Sequence, residues 1–120
     1  MTRNHRDLIV WQKSVDLAVE INRLTEKLQR QQKYALVDQL SRAALSVPSN
    51  IAEGRARSSA KDFVRFLYIA RGSLEELDAQ LYVSVKSGYL TDADIELAMR
   101  LYTEVEKMLN AMISKMTKNT

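Results

Sequence analysis

The chain of 120 residues holds one histidine and no cysteine, and these two counts decide most of the chemistry open to it. A serine nucleophile needs a base at hydrogen-bond distance, ordinarily an imidazole. The single histidine, His5, lies in an N-terminal stretch that reads as flexible and solvent-exposed. Disulfides, thiolate metal sites and a cysteine nucleophile are excluded outright. Metal centres inside helix bundles use Glu-x-x-His pairs with further glutamates. The run "SLEELD" offers Glu75, Glu76 and Asp78 with no histidine, and reads as solvated helix surface. No glycine-rich phosphate loop occurs. The expectation is a protein with no metal, no cofactor and no enzymatic activity.

What remains is charge. The formal net charge is +3, unevenly spread. Arg42, Arg55, Arg57, Lys61, Arg65 and Arg71 crowd the middle third against Glu53 and Asp62, whereas the expected fourth helix, with Asp92, Asp94, Glu96, Glu104 and Glu106, is the acidic part. Phosphate backbones bind basic surfaces through counterion release, without reading sequence. An oligomer repeats each patch and so makes a weak one multivalent. Arg55, Arg57, Lys61 and Arg65 are therefore the candidate contacts to RNA or DNA. The competing reading pairs these arginines with Glu53, Glu75 or Glu76 inside the chain, or leaves them solvating the surface. No signature of stacking aromatics for RNA is present. Tyr34, Tyr68, Tyr82, Tyr89 and Tyr102 read as bundle or interface residues.

A second polar set surrounds the only proline, in "SVPSNIAEGRAR", residues 46–57. Pro48 has no N–H to give the Ala44 carbonyl, and inside a helix that defect costs about 3 kcal/mol. Ser46, Ser49, Asn50 and Glu53 stand beside it; the Asn50 amide, a serine hydroxyl or a water could serve the freed carbonyl. One reading is a ligand or partner site at the bend. The other, favoured because kinks have local structural causes, is a structural network of Pro48, Ser49, Asn50 and Glu53 that fixes it.

The elements that must position these groups are helices. Strong helix formers dominate, with 3 glycines and 1 proline, and apolar residues recur at three- and four-residue steps. The pattern predicts helices over about 8–29, 34–53, 60–87 and 92–115 in one domain covering 1–120. Asp7 is the expected cap of the first helix, Ser58 or Ser59 of the third and Thr91 of the fourth. In the second, the stripe of Leu36, Leu40, Ala43, Ala44, Val47 and Ile51 runs on through Pro48, and Val47 is a poor cap. The expectation is one helix kinked near Pro48 that ends at Glu53, with Gly54 as its left-handed stop and Gly88 as the stop of the third. Short connections predict an antiparallel up-down-up-down four-helix bundle. No apolar run approaches the roughly 20 residues of a membrane span and no signal peptide is visible, so no membrane is expected among the partners and the chain reads as cytoplasmic.

Helix three carries more apolar surface than one bundle can cover. "FVRFLYIA", residues 63–70, is apolar almost all round, and such a helix is normally buried on more than one face. Gly72 costs about 0.8–1 kcal/mol relative to alanine in mid-helix, which close approach of another backbone would offset. Phe63, Phe66, Tyr68, Ile69 and Gly72 are the candidate contacts between subunits; tight packing within the bundle is the alternative.

The segments "DLIVWQKSVDLAVEI", "LVDQLSRAALSVPSNIAEGRAR" and "DFVRFLYIARGSLEEL" resemble the bacterial four-helix-bundle proteins of the 23S rRNA intervening sequence family, from Asp7 into helix four. The resemblance implies an antiparallel four-helix bundle and a ring-shaped homopentamer, with no established enzymatic activity. Proteins of similar fold, the accessory proteins of diversity-generating retroelements, form basic pentameric barrels that bind a reverse transcriptase and nucleic acid. The partners so implied are further copies of the chain, RNA or DNA, and a protein encoded nearby.

Overall fold

Four apolar stripes become four α-helices in the computed structural model, which describes residues 4–118. They are α1 (Ile9–Arg30), α2 (Tyr34–Arg55), α3 (Ala60–Lys86) and α4 (Asp92–Lys118), preceded by a single 3₁₀ turn at His5–Asp7. The described residues contain no strand. Each helix packs on two others, in the cycle α1–α2–α3–α4–α1, and α2 with α3 make the most extensive pair. The shape is a rod of 47 × 21 × 20 Å. At 1.5 Å per residue the two longer helices run about 40 Å, most of its length.

The stripes meet in one core. Leu17, Ile21, Leu28, Leu40, Val47, Ile51, Leu67, Leu74, Leu77, Leu81, Val105 and Leu109 are fully buried in it. Buried hydroxyls cause no deficit there. Ser14, Thr25 and Ser84 each donate back to a carbonyl of their own helix, at 2.7, 2.7 and 2.8 Å. No described helix is long and apolar enough to cross a membrane.

The helix ends show which local signals held. Ser59 caps α3, its hydroxyl accepting from the Asp62 N–H at 3.1 Å. Thr91 and Asp94 form a reciprocal capping box on α4: the Thr91 hydroxyl accepts from the Asp94 N–H at 3.1 Å, and the Asp94 carboxylate accepts from the Thr91 N–H at 2.8 Å. Gly88, with φ +81°, closes α3 in a Schellman motif, the Tyr89 N–H donating to the Ser84 carbonyl at 3.0 Å. The same motif closes α1, but there the left-handed residue is Gln32, with φ +60°, and Lys33 donates to the Leu28 carbonyl at 2.9 Å. The two motifs abut: Gln31 donates to the Tyr89 carbonyl at 2.9 Å, and the Lys33 ammonium lies over the Tyr89 ring.

Two capping expectations fail. Asp7 does not cap α1; Leu8 holds that position without a side-chain bond, and Asn4 instead caps the 3₁₀ turn. That turn packs the half-buried His5 edge-on against Trp11, at 4.8 Å between centroids. Gly54 is not a left-handed stop either. α2 continues through Pro48 to Arg55, and Gly54 is a buried helical residue. A Cβ placed on Gly54 would stand 2.8 Å from the Phe66 Cβ, 2.9 Å from a Phe63 ring carbon and 3.2 Å from the Phe63 carbonyl oxygen. The glycine is there to let α3 approach.

Two predictions follow from these contacts. Gly54→Ala gains up to about 1 kcal/mol of helix propensity, but the added methyl meets near-backbone atoms that cannot swing away, and overpacking of this kind costs about 1–3 kcal/mol. Its denaturation midpoint should fall below that of the parent; an equal or higher midpoint refutes the close approach. The Lys27 ammonium, at 2.8 Å, and the Thr91 N–H hold the Asp94 carboxyl down at about 2, from an ordinary 3.8. A carboxyl depressed on folding stabilises above its unfolded value, and that stability fades as pH falls. The stability gap between the parent and Asp94→Asn should be full above about pH 4 and close towards pH 2; a gap independent of pH would contradict this account.

Candidate interaction surface

Three features around α2 and α3 gather the polar and apolar groups singled out by sequence. The first is a hydroxyl chain beneath Pro48. The Ser46 and Ser73 hydroxyls hydrogen-bond at 2.7 Å, and the Ser73 oxygen also stands 3.2 Å from the Ile69 carbonyl of its own helix. Ser46 in turn accepts from the Asn50 amide at 2.9 Å. Asn50, Ser46 and Ser73 thus form one hydrogen-bonded chain that stitches α2 to α3. The Asn50 amide also serves the Ser46 carbonyl at 2.8 Å; it does not reach back to Ala44. Ser49 and Glu53 stand exposed outside this chain. The Ser46–Ser73 pair floors a small polar cleft of about 290 Å³ whose walls include Gln39, Arg42 and Glu76.

The second feature is a basic end at the connection between α2 and α3. Phe66 is buried, and two guanidinium groups lie over its ring, Arg65 at 4.5 Å and Arg57 at 4.8 Å. Cation–π contact of this kind orients a guanidinium while leaving its N–H edge available. Each arginine also meets a carboxylate: Arg57 pairs with Glu53 at 3.1 Å, and Arg65 with Asp62 at 3.8 Å. Lys61 is exposed and Arg55 half-buried. The four basic residues predicted to contact nucleic acid thus do share one end of the rod, partly neutralised by Glu53 and Asp62.

The third feature is the outer ridge of α3. Tyr68, Ile69, Tyr82 and Val83 are 45%, 42%, 63% and 52% exposed. Gly72 lies on the same ridge, and a Cβ added there would meet nothing within 4 Å. Packing inside the bundle therefore does not account for this glycine. Phe63 and Phe66, grouped with these residues on sequence grounds, are instead buried within the chain against Gly54. Arg71 lies over the Tyr68 ring at 4.8 Å and donates to Asn110 at 3.0 Å, which ties the ridge to α4.

No cluster of acid–base groups accompanies these features. The described residues contain no group of His, Asp or Glu that could hold a metal ion. Tyr102 is buried and donates weakly to Glu106 at 3.4 Å; burial pushes its phenol up, so it stays neutral. Neither the Ser46–Ser73 bond nor Phe66 as an arginine platform is legible in sequence, because both depend on how α2 meets α3.

Comparison with known proteins accords with this picture. The profile of the 23S rRNA-intervening sequence protein family matches residues 6–111. The fold is similar to a crystal structure from Bacteroides thetaiotaomicron, of a protein of unknown function from the S23 ribosomal protein family. The TM-score is 0.82 at 30% identity, covering 88% of this chain and 98% of that one. No curated protein matches the chain.

The hydroxyl chain makes a measurable claim. Ser46→Ala and Ser73→Ala should each cost about 1 kcal/mol in denaturant unfolding, the usual net value of such a bond. Because they share one contact, the double variant should cost less than the sum by roughly 0.5 kcal/mol or more. Strict additivity would show that the two hydroxyls do not act together.

Proposed function

Since the chain belongs to the 23S rRNA-intervening sequence protein family, we propose that it is a non-enzymatic scaffold or adaptor that acts as a homo-oligomer. The observation that carries this reading is the outer ridge of α3. A helix that already buries Phe63, Leu67, Leu74, Leu77 and Leu81 still presents Tyr68, Ile69, Tyr82 and Val83 to solvent. Large apolar side chains exposed on both sides of Glu75 and Glu76 support an interaction surface on this helix, and Gly72 beside Ile69 offers a place for a second backbone. The assembly we adopt is the ring-shaped homopentamer implied by the family resemblance. Within each subunit the short connections at 31–33, 56–59 and 87–91 support an antiparallel up-down-up-down course, with α2 bent near Pro48. We place the protein in the cytoplasm.

In a ring the basic end would recur once per subunit. Arg55, Arg57, Lys61 and Arg65 are then the residues proposed to hold RNA or DNA by its phosphates. A second reading is favoured by the pairs Arg57–Glu53 and Arg65–Asp62, which lower the positive charge of that end. On it, the ring is a protein-interaction module for a partner encoded nearby, with no nucleic-acid role.

Light scattering at micromolar concentration should give a mass several-fold above the 13.7 kDa protomer. Gly72→Leu should reduce it to the protomer with helix content intact. A monomeric parent protein removes the scaffold reading. Glutamine at Arg55, Arg57, Lys61 and Arg65 separates the two roles. If nucleic acid is bound, binding should weaken steeply with salt and be lost in these variants; absence of binding at low salt leaves the protein-interaction reading.

A further inference from the structure

The start of α1 and the last turns of α4 leave an apolar groove of about 480 Å³ that the bundle does not fill. Leu8, Ile9 and Val10 line it from one side and Met108, Ala111 and Met112 from the other, and Asp7 adjoins them. Val10 is buried, and Met108 and Met112 pack half-buried on the core, but Ile9 is 62% exposed and Ala111 is exposed too. Around the groove the charge is one-sided. Lys107, Lys115 and Lys118 follow the line of Ala111 along α4, at steps of four, four and three residues. Arg6 precedes Asp7 on the other side. All four cations are exposed, and none forms an ion pair among the described residues. The other carboxylates nearby are engaged or face elsewhere. Glu104 is held by Lys13 at 3.0 Å, Glu106 takes the Tyr102 hydroxyl, and Asp16 lines a separate groove with Val19 and Leu97. Asp7 alone opposes the four cations.

We infer that this groove takes an acidic amphipathic helix of a partner protein. Its apolar side chains lie on Ile9, Met108 and Met112, and its carboxylates meet Arg6, Lys107, Lys115 and Lys118. The shape and lining select this occupant. A small-molecule site encloses most of its ligand, and a groove with Ile9 so exposed is too open for that. Nucleic acid needs aromatic faces for its bases, and the lining here is aliphatic and thioether. A bilayer meets protruding apolar side chains, whereas this apolar surface is recessed between two helices. An amphipathic helix laid in a groove sets its anchors about one turn apart, which is the spacing of Met108 and Met112. Methionine side chains adapt readily to such anchors. The inference rests on the protein-interaction reading above and specifies the chemistry of the partner.

A dye-labelled helical peptide of about eighteen residues tests this on the full chain, with leucine at three- and four-residue steps and glutamate elsewhere. The same peptide with lysine in place of glutamate is the control. By fluorescence anisotropy the glutamate peptide should bind at micromolar concentration, and the lysine peptide at least tenfold more weakly. Ile9→Ser should weaken the glutamate peptide several-fold. Lys115→Glu/Lys118→Glu should weaken it at least tenfold and reverse the preference, with helix content unchanged by circular dichroism. A parent protein that does not bind the glutamate peptide, equal binding of both peptides, or variants without effect overturns the proposal. So does a parent that ignores the peptide yet binds a single-stranded oligonucleotide or phosphatidylglycerol vesicles through these lysines. A fall in assembled mass on Ile9→Ser makes the groove a contact between copies and overturns it as well. An assembled parent that does not bind the peptide loses this site and keeps the scaffold reading; a monomeric parent that binds it loses the oligomer and keeps the site.

Discussion

The architecture turns on the absence of one side chain. At Gly54 the backbone of α2 comes so near to α3 that even a methyl group would collide with Phe66 and Phe63. This approach lets the two phenylalanines bury inside the chain. It also makes Phe66 a platform for Arg57 and Arg65, so the basic end is a product of helix packing as much as of sequence charge. Further along the same seam the helices are joined by hydroxyls instead, through Ser46 and Ser73. With its inner stripe in the core and its flanks committed to α2 and α4, α3 has its outer ridge left to meet solvent.

Interior polarity here is architectural. The buried hydroxyls of Ser14, Thr25 and Ser84 are answered by their own helices, and the buried carboxylate of Glu20 by Arg23. Buried polar groups with complete partners stiffen a core and offer no reactive group. On its outside the chain presents an apolar ridge and a basic end.

Much of this was legible in the sequence, and the exceptions have physical causes. The stripe through Leu40, Ala43, Ala44, Val47 and Ile51 named the buried face of α2, because helical period alone selects it. Ser59, Thr91 and Gly88 marked their helix ends because each acts on backbone groups within a few residues. Gln32 gave no such mark; a left-handed glutamine looks like any other in sequence, and its conformation is held by contacts with the neighbouring turn at Tyr89. Gly54 was legible as a special position but misread, since a helix stop and a close approach both call for glycine. Which of the two applies is decided by a helix nine residues away. Phe63 and Phe66 were likewise recognised as surplus apolar surface, but their partner was α2 of the same chain. Tyr68, Ile69 and Gly72 are what that surplus leaves outside.

The cycle of helix contacts has a consequence for how the fold is reached. Three of its four contacts join helices adjacent in the chain, and the most extensive, α2 with α3, spans a connection of four residues, 56–59. The entropy lost on closing a loop grows with the logarithm of its length, so these contacts are the least demanding a helical chain can make. Topologies dominated by such local contacts are the fast ones. Only the meeting of α1 with α4 must join distant parts of the chain. The Lys27–Asp94 and Lys13–Glu104 ion pairs lie across that seam, where the ends of the sequence close the barrel of helices upon itself.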